Sequence, residues 1–304
     1  MSEAVIECVP NFSEGVDFSK VQAIVNAMQV DGVSLLDWSL DGDHNRSVVT
    51  IAGPPQAVVE AAVRAAGKAA ELIDLTAQRG VHPRIGATDV IPFVPVSGIT
   101  LAQCAILARQ AGLEIWRQHN IPIYFYEAAA SRPDRALLEQ VRQGQFEGLR
   151  EQVLRDAARR PDLGGPELHP TAGASAVGAR KFLIAYNLYL ERPDVTAARA
   201  IAKALRASSG GLDGVKAMGV LVQGRAQVSL NITDFRLTPV RRAFAAVDGL
   251  ARTHGTKVVA AELIGLLPEE AFERDSEWVR LIKEFKPEER ILERRLKQPL
   301  EWPI

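Results

Sequence analysis

The 304-residue chain predicts an α+β protein made of two successive units of βαββαβ order. Three observations point there. Apolar runs of strand length alternate with alanine-rich helical stretches. Each half repeats the order strand, helix, strand pair, helix, strand, and the first half adds a further helix and strand. Hydrophobic residues at 47% and charged residues at 24% are the proportions of a folded soluble domain and exclude wholesale disorder.

In the first half, residues 4–12 predict a strand, 17–29 a helix, 32–40 and 46–53 two strands, and 54–73 a helix. A strand over 89–96, a helix over 101–119 and a strand over 121–127 follow. Residues 131–160 are charged and helix-like, which predicts a solvated helical linker. Residues 161–179 are rich in glycine and proline and predict a long loop, which is either a disordered linker or a segment that contacts ligand.

The second half opens with an apolar strand over 181–191 and a helix over 194–210 capped by Asp194. Strands over 215–224 and 225–235 meet at Gln223-Gly224, a pair suited to a tight hairpin. Thr238 as cap and Pro239 at the first position begin a helix that ends on Gly255. Residues 256–266 give the last strand. The tail, 268–296, predicts helix, a break at Pro287, and helix, packed on the outside. This order is the split βαβ unit of ferredoxin-like domains, with helices on one face of each sheet. Two bare sheet faces meeting across a gap would make a ligand site. The expected subdomains are 1–178 and 179–304.

Several function classes fall away. A net charge of −1 offers no field for a phosphate backbone, so no nucleic-acid partner is expected. No apolar run reaches membrane-spanning length and no secretory leader is evident, which predicts a cytoplasmic protein without a membrane partner. The two cysteines form neither a metal spacing nor a disulfide framework. No G-x-G-x-x-G after a strand, P-loop or G-x-S-x-G is present. The five histidines contain no H-E-x-x-H, so no metal site is expected.

Among those histidines, His119 and His254 sit at helix ends, where the dipole accounts for them. His44 lies in an Asp/Gly/Asn-rich turn and His169 in the long loop. His82 differs in kind. In RGVHPRIGATD (79–89) it is pinned by Pro83 and flanked by Arg79 and Arg84 on a turn stiffened by Gly80 and Gly86. An imidazole titrates near neutral pH and can take and return a proton, and nearby cations favour its neutral, basic form. Arginines bind carboxylates in a two-toothed grip, which points to an acidic substrate.

CVPNFSEG (8–15), HNRSVVT (44–50), HPRIGATDVIPFVPV (82–96), GARKFLIAYNLYL (178–190), AQVSLNITDF (226–235) and FKPEERI (285–291) resemble the glutamate formiminotransferases, over essentially the whole chain. The resemblance implies two ferredoxin-like subdomains facing each other across a folate tunnel, in a homodimer. It implies transfer of a formimino group from N-formimino-L-glutamate to tetrahydrofolate, the co-substrate, as part of histidine degradation. The family's catalytic histidine corresponds to His82. Its folate-binding segment corresponds to Leu163, Gly164, Gly165, Pro166, Glu167, Leu168, His169, Pro170, Thr171 and Ala172. Arg46, Arg84, Arg180 and Lys181 are then candidates for substrate carboxylates or a polyglutamate tail, and Asn11, Asn187 and Asn231 for the pterin or the formimino group. His44, Asn45 and Asp89 complete the candidate substrate set. A formyl-transferring or 5-formyltetrahydrofolate-processing relative, and a folate-binding module without chemistry, are the competing readings.

Overall fold

The first apolar run folds as two short strands, β1 (Val5–Cys8) and β2 (Asn11–Phe12), because Pro10 between them has no N–H to give a ladder. The computed structural model describes residues 3–80, 82–274 and 276–303. Helix α1 (Phe18–Ala27) starts where the Asp17 carboxylate accepts the N–H groups of Ser19 and Lys20. Strands β3 (Ser34–Asp41) and β4 (Arg46–Gly53) form a hairpin, followed by α2 (Pro55–Leu72) and β5 (Thr88–Ser97). Helix α3 (Leu101–His119) begins at a Thr100/Gln103 capping box, and β6 (Ile123–Glu127) follows.

Two expectations fail next. The stretch 131–160 is no solvated linker. Its short helix α4 (Leu138–Val141) and longer α5 (Gln145–Arg155) bury Val141, Phe146, Leu149 and Val153 in the first core. The burial outweighs the charged composition because Phe146, Leu149 and Val153 fall on one helical face. The loop, in turn, ends early. Residues Ser175–Ala179 form β7, an inner strand parallel to both β5 and β6. Its small residues carry no β-branched signature, yet they suit a strand covered on both sides. A Cβ on Gly178 would lie 2.6 Å from the Tyr126 ring.

The first sheet runs β3, β4, β1 with β2, β5, β7, β6. Its unit reaches to Arg180 and takes back the stretch from Pro299, where Leu300 donates to the Leu35 carbonyl.

The second unit is Lys181–Gln298. Strand β8 (Ile184–Leu190) precedes α6 (Val195–Leu205), capped by Asp194. Strands β9 (Val215–Val222) and β10 (Arg225–Ile232) turn at Gln223 and Gly224, both at positive φ, as the hairpin reading requires. Helix α7 (Val240–Thr253) begins one residue later than predicted. Thr238 does not cap it, because its hydroxyl donates to the Asp213 carbonyl instead. Strand β11 (Val258–Ile264) completes an antiparallel sheet in the order β11, β8, β10, β9. The tail holds α8 (Glu277–Arg280), α9 (Pro287–Arg290) and α10 (Leu292–Arg295). It is not merely external, since Trp278, Val279 and Ile291 enter the second core, and Pro287 starts a helix instead of breaking one.

The order β5, β1, β4, β3 in the first sheet matches the order β11, β8, β10, β9 in the second, and the first sheet adds β7 and β6 beyond β5. Strand β8 alternates fully buried residues with half-exposed Ala185, Asn187 and Tyr189. The buried set packs with α6 and α7, and the other row leaves the sheet on its opposite face.

Candidate active site

Three sequence motifs converge on one turn. Ser13 donates its N–H to the Ala87 carbonyl and its hydroxyl to the Gly86 carbonyl. Asn45, at φ 48°, accepts the Gly15 N–H and donates to the Arg79 carbonyl. From the other side Ala87 donates to Ala172, and Ala174 to Ile85. A Cβ on Gly86 would lie 2.1 Å from the Ala174 carbonyl oxygen, and one on Gly80 would lie 2.4 Å from that of His44. Both glycines are there because backbone approaches too closely for a side chain.

On this frame His82 is partly buried. Its Nδ1 lies 2.8 Å from the Pro83 carbonyl and 3.0 Å from Arg46 Nη1. With Nδ1–H donating to Pro83, Nε2 presents its lone pair, as a general base must. Arg46 donates to Asn11 Oδ1 through Nε and Nη2, at 3.0 and 2.8 Å, and to Asp89 Oδ2 at 2.8 Å. Asp89 is fully buried, and its second oxygen accepts the Ile85 N–H at 2.8 Å. A second guanidinium, Arg142, pairs with Asp89 from the end of α4.

The electrostatics follow. Burial first, then the charges of Arg46 and Arg142, push the His82 imidazolium down to about 3 against the weaker pull of Asp89. His82 is therefore neutral at physiological pH. Burial works to raise Asp89, but Arg142 and Arg46 prevail and hold it at about 2. Burial lowers Arg46 to about 10, which leaves it charged.

The structure thus brings His82, Asn11, His44, Asn45, Arg46 and Asp89 together. The His44 ring stands 6.2 Å from that of His82, and its Nδ1 lies 2.7 Å from Asp41. Arg84 belongs to the same region but faces elsewhere. Its guanidinium grips Glu147 at 2.8 and 2.9 Å and Gln78 at 2.6 Å, and it is buried. The segment 163–172 is tied in at both ends. Leu163 pairs with Ile123, Gly164 packs on the Trp116 ring, and His169 pairs with Gly173. His169 Nδ1 accepts the Ala172 N–H at 3.0 Å, and burial lowers its pKa. Gly165, Pro166, Glu167 and Pro170 are exposed, Leu168 and Ala172 are buried, and the Thr171 carbonyl accepts the Leu75 N–H.

The remaining candidates lie apart from His82 in the chain. Arg180 ends the first unit, with its N–H on the Phe93 carbonyl. Lys181 pairs with Asp234 at 2.6 Å. Asn187 contacts Glu262 at 3.4 Å on the half-exposed row of β8, and Asn231 is exposed on β10. His119 ends its helix as expected, packs on Gly67, and has its pKa lowered by burial. Arg142 and Glu147 are the residues that sequence reasoning passed over. The apolar spacing of Phe146, Leu149 and Val153 was the available sign that the helix of Glu147 is packed inward.

A neutral imidazole on a backbone-locked turn, beside two buried guanidinium groups, is the equipment of an acid–base group-transfer protein with an anionic substrate. Family comparison agrees with that class. Residues 5–180 match the model "Formiminotransferase domain, N-terminal subdomain" and residues 185–280 match "Formiminotransferase domain". A glutamate formimidoyltransferase of Streptococcus pyogenes serotype M1 is 42% identical over 96% of this chain and 98% of its own. One from Thermoplasma acidophilum is 41% identical over 97% and 98%. A mouse formimidoyltransferase-cyclodeaminase is 39% identical over 87% of this chain and 50% of its own. The chain belongs to the formiminotransferase family.

Proposed function

We propose that the chain transfers the formimino group of N-formimino-L-glutamate to nitrogen 5 of tetrahydrofolate, giving 5-formiminotetrahydrofolate and L-glutamate in histidine degradation. The observation that carries this reading is the end-to-end match to proteins named glutamate formimidoyltransferase. The buried His82 cluster supplies its chemistry.

Nitrogen 5 attacks the formimino carbon and a C–N bond forms. Neutral His82 takes the proton that nitrogen 5 sheds. The bond from that carbon to the glutamate nitrogen then breaks as the imidazolium returns the proton to the departing nitrogen. One proton crosses between two nitrogens and no outside acid or base is consumed. Such proton transfer contributes about 10²–10⁴-fold, and holding the two substrates together supplies the larger share. Arg46 and Asn11 orient the site beside His82. Residues 163–172 serve the folate, with or without a polyglutamate tail. Arg180, Lys181, Asn187 and Asn231 serve its outlying polar groups. Each unit's strand order supports a ferredoxin-like subdomain, 1–178 and 179–304. A homodimer in the cytoplasm completes the reading. Among the described residues no helix is long and apolar enough to cross a membrane, and no His/Cys/Asp/Glu group is placed to hold a metal.

The test offers the protein tetrahydrofolate with formiminoglutamate and, separately, formylglutamate, and measures glutamate release and the substituted folate. Turnover with the formimino donor is expected. Turnover with the formyl donor alone, or folate binding without transfer, would overturn the reading.

A further inference from the structure

The ion cluster behind His82 is out of balance. Arg46 and Arg142 both pair with the same oxygen of Asp89, whose other oxygen is taken by Ile85. Among the described residues no second acid pairs with either guanidinium. The cluster is nearly sealed, with side-chain exposures of 10% for Arg46, 15% for Arg142 and 0% for Asp89. Arg142 Nε is buried and donates to nothing. A buried net positive charge with an unused donor is costly unless an anion completes it.

The groups facing His82 come from four elements. Arg46 stands on β4, Asp89 on β5, Arg142 at the end of α4, and His44 in the turn between β3 and β4. Tyr126 on β6 lies near Arg142 and is held in its protonated form by burial. Among the described residues Asp89 is the carboxylate paired with the two guanidinium groups, and Asp41, half-exposed, pairs with His44 on the outer side.

We propose that the missing charge is a carboxylate of the amino-acid donor, received by Arg142, and that its arrival converts His82 from a weak base into an effective one. This rests on the formimino-transfer reading and adds the residue that selects for an anionic donor. The reason is electrostatic. Two guanidinium groups hold the imidazole so reluctant toward protons that it would draw none from an attacking amine, whereas a catalytic base works best with its pKa near the operating pH. A carboxylate on Arg142 cancels one cation, and an opposite charge at that range moves a pKa by about 1–3 units. The exposed fraction of Arg142 is where such a group can enter. A donor without a carboxylate would leave the base switched off.

The test is an NMR titration of the His82 ring in the full-length protein, assigned with His82→Ala, with and without saturating L-glutamate as probe. The native His82 pKa should rise by at least one unit when glutamate binds. Arg142→Gln should raise it in the free protein, abolish the glutamate response and raise KM for formiminoglutamate at least tenfold. Arg142→Lys should keep part of the response. A native pKa unmoved while glutamate competes with formiminoglutamate would overturn the proposal. So would an Arg142→Gln protein with unchanged KM and a lower kcat, the mark of a purely structural residue. Should Arg142→Gln fail to fold, the native titration decides alone. Loss of formimino transfer by the native protein would instead sink the function reading, which the activity assay reports separately.

Discussion

The two units share one strand order but treat polar residues in opposite ways. In the first, Arg46, Asp89 and Arg142 are shut away from water and His82 is locked by backbone on both sides of its turn. In the second, Asn187, Tyr189 and Glu262 form a looser row on a half-exposed sheet face, where Tyr189 donates to Glu262 at 3.0 Å and Arg225 stacks on the Tyr189 ring at 4.2 Å. The difference comes from what the first unit adds. Helices α4 and α5 bring Arg142 and Glu147, and the approach to β7 brings the backbone that braces Gly86. Burial and bracing suit a group whose proton affinity must be set, while an open polar face suits a ligand that must come and go.

That contrast can be broken. Removing His82 as Ala should have the largest effect, a loss of about 10²–10⁴-fold in single-turnover transfer with folate binding retained. Transfer that survives would move the base away from the braced turn. Asp89→Ala leaves two guanidinium groups buried without an anion, and should cost about 3–5 kcal/mol of stability, read from the urea midpoint. A neutral result there would mean the cluster is wetter than its geometry implies. Gly86→Ala forces a Cβ against the Ala174 carbonyl and should cost about 1–3 kcal/mol, with activity falling as the turn shifts. The second unit should answer mildly. Asn231→Ala, on an exposed strand position, should stay within about 0.5 kcal/mol in melting experiments and act, if at all, through KM.

Most of this fold is legible in the chain, because caps and periodicity agree with tertiary burial. Asp194 caps its helix as expected, the helices over 17–29 and 101–119 form where their periodicity puts them, and Gln223-Gly224 turns its hairpin. Strand β7 is not legible, since an inner strand of small residues differs little in composition from a loop. The helices over 138–155 were hidden by their charge count, although their apolar spacing was readable. The site divides the same way. His82 stands out because Pro83 and two glycines mark a rigid turn, and Arg46 and Asn11 lie in motifs near strand ends. Arg142 carries no local mark. Its role exists only through a contact 53 residues away in sequence, which no periodicity encodes. Arg84 shows the converse, a conspicuous cation that its neighbours Glu147 and Gln78 have already engaged.

The central claim is that His82 is a base held neutral by its buried cations, and the pH dependence of kcat/KM for formimino transfer tests it most directly. That ratio reports the free enzyme, in which His82 sits at about 3 and not at the ordinary imidazole value of about 6.5. Because the shift is downward, the base form persists as pH falls through 6.5 and is lost only near the lower value. The account predicts no His82 limb in kcat/KM between pH 8 and 5. A limb near 6.5 that disappears in His82→Ala would contradict it, and would mean that the arginines do not govern the imidazole.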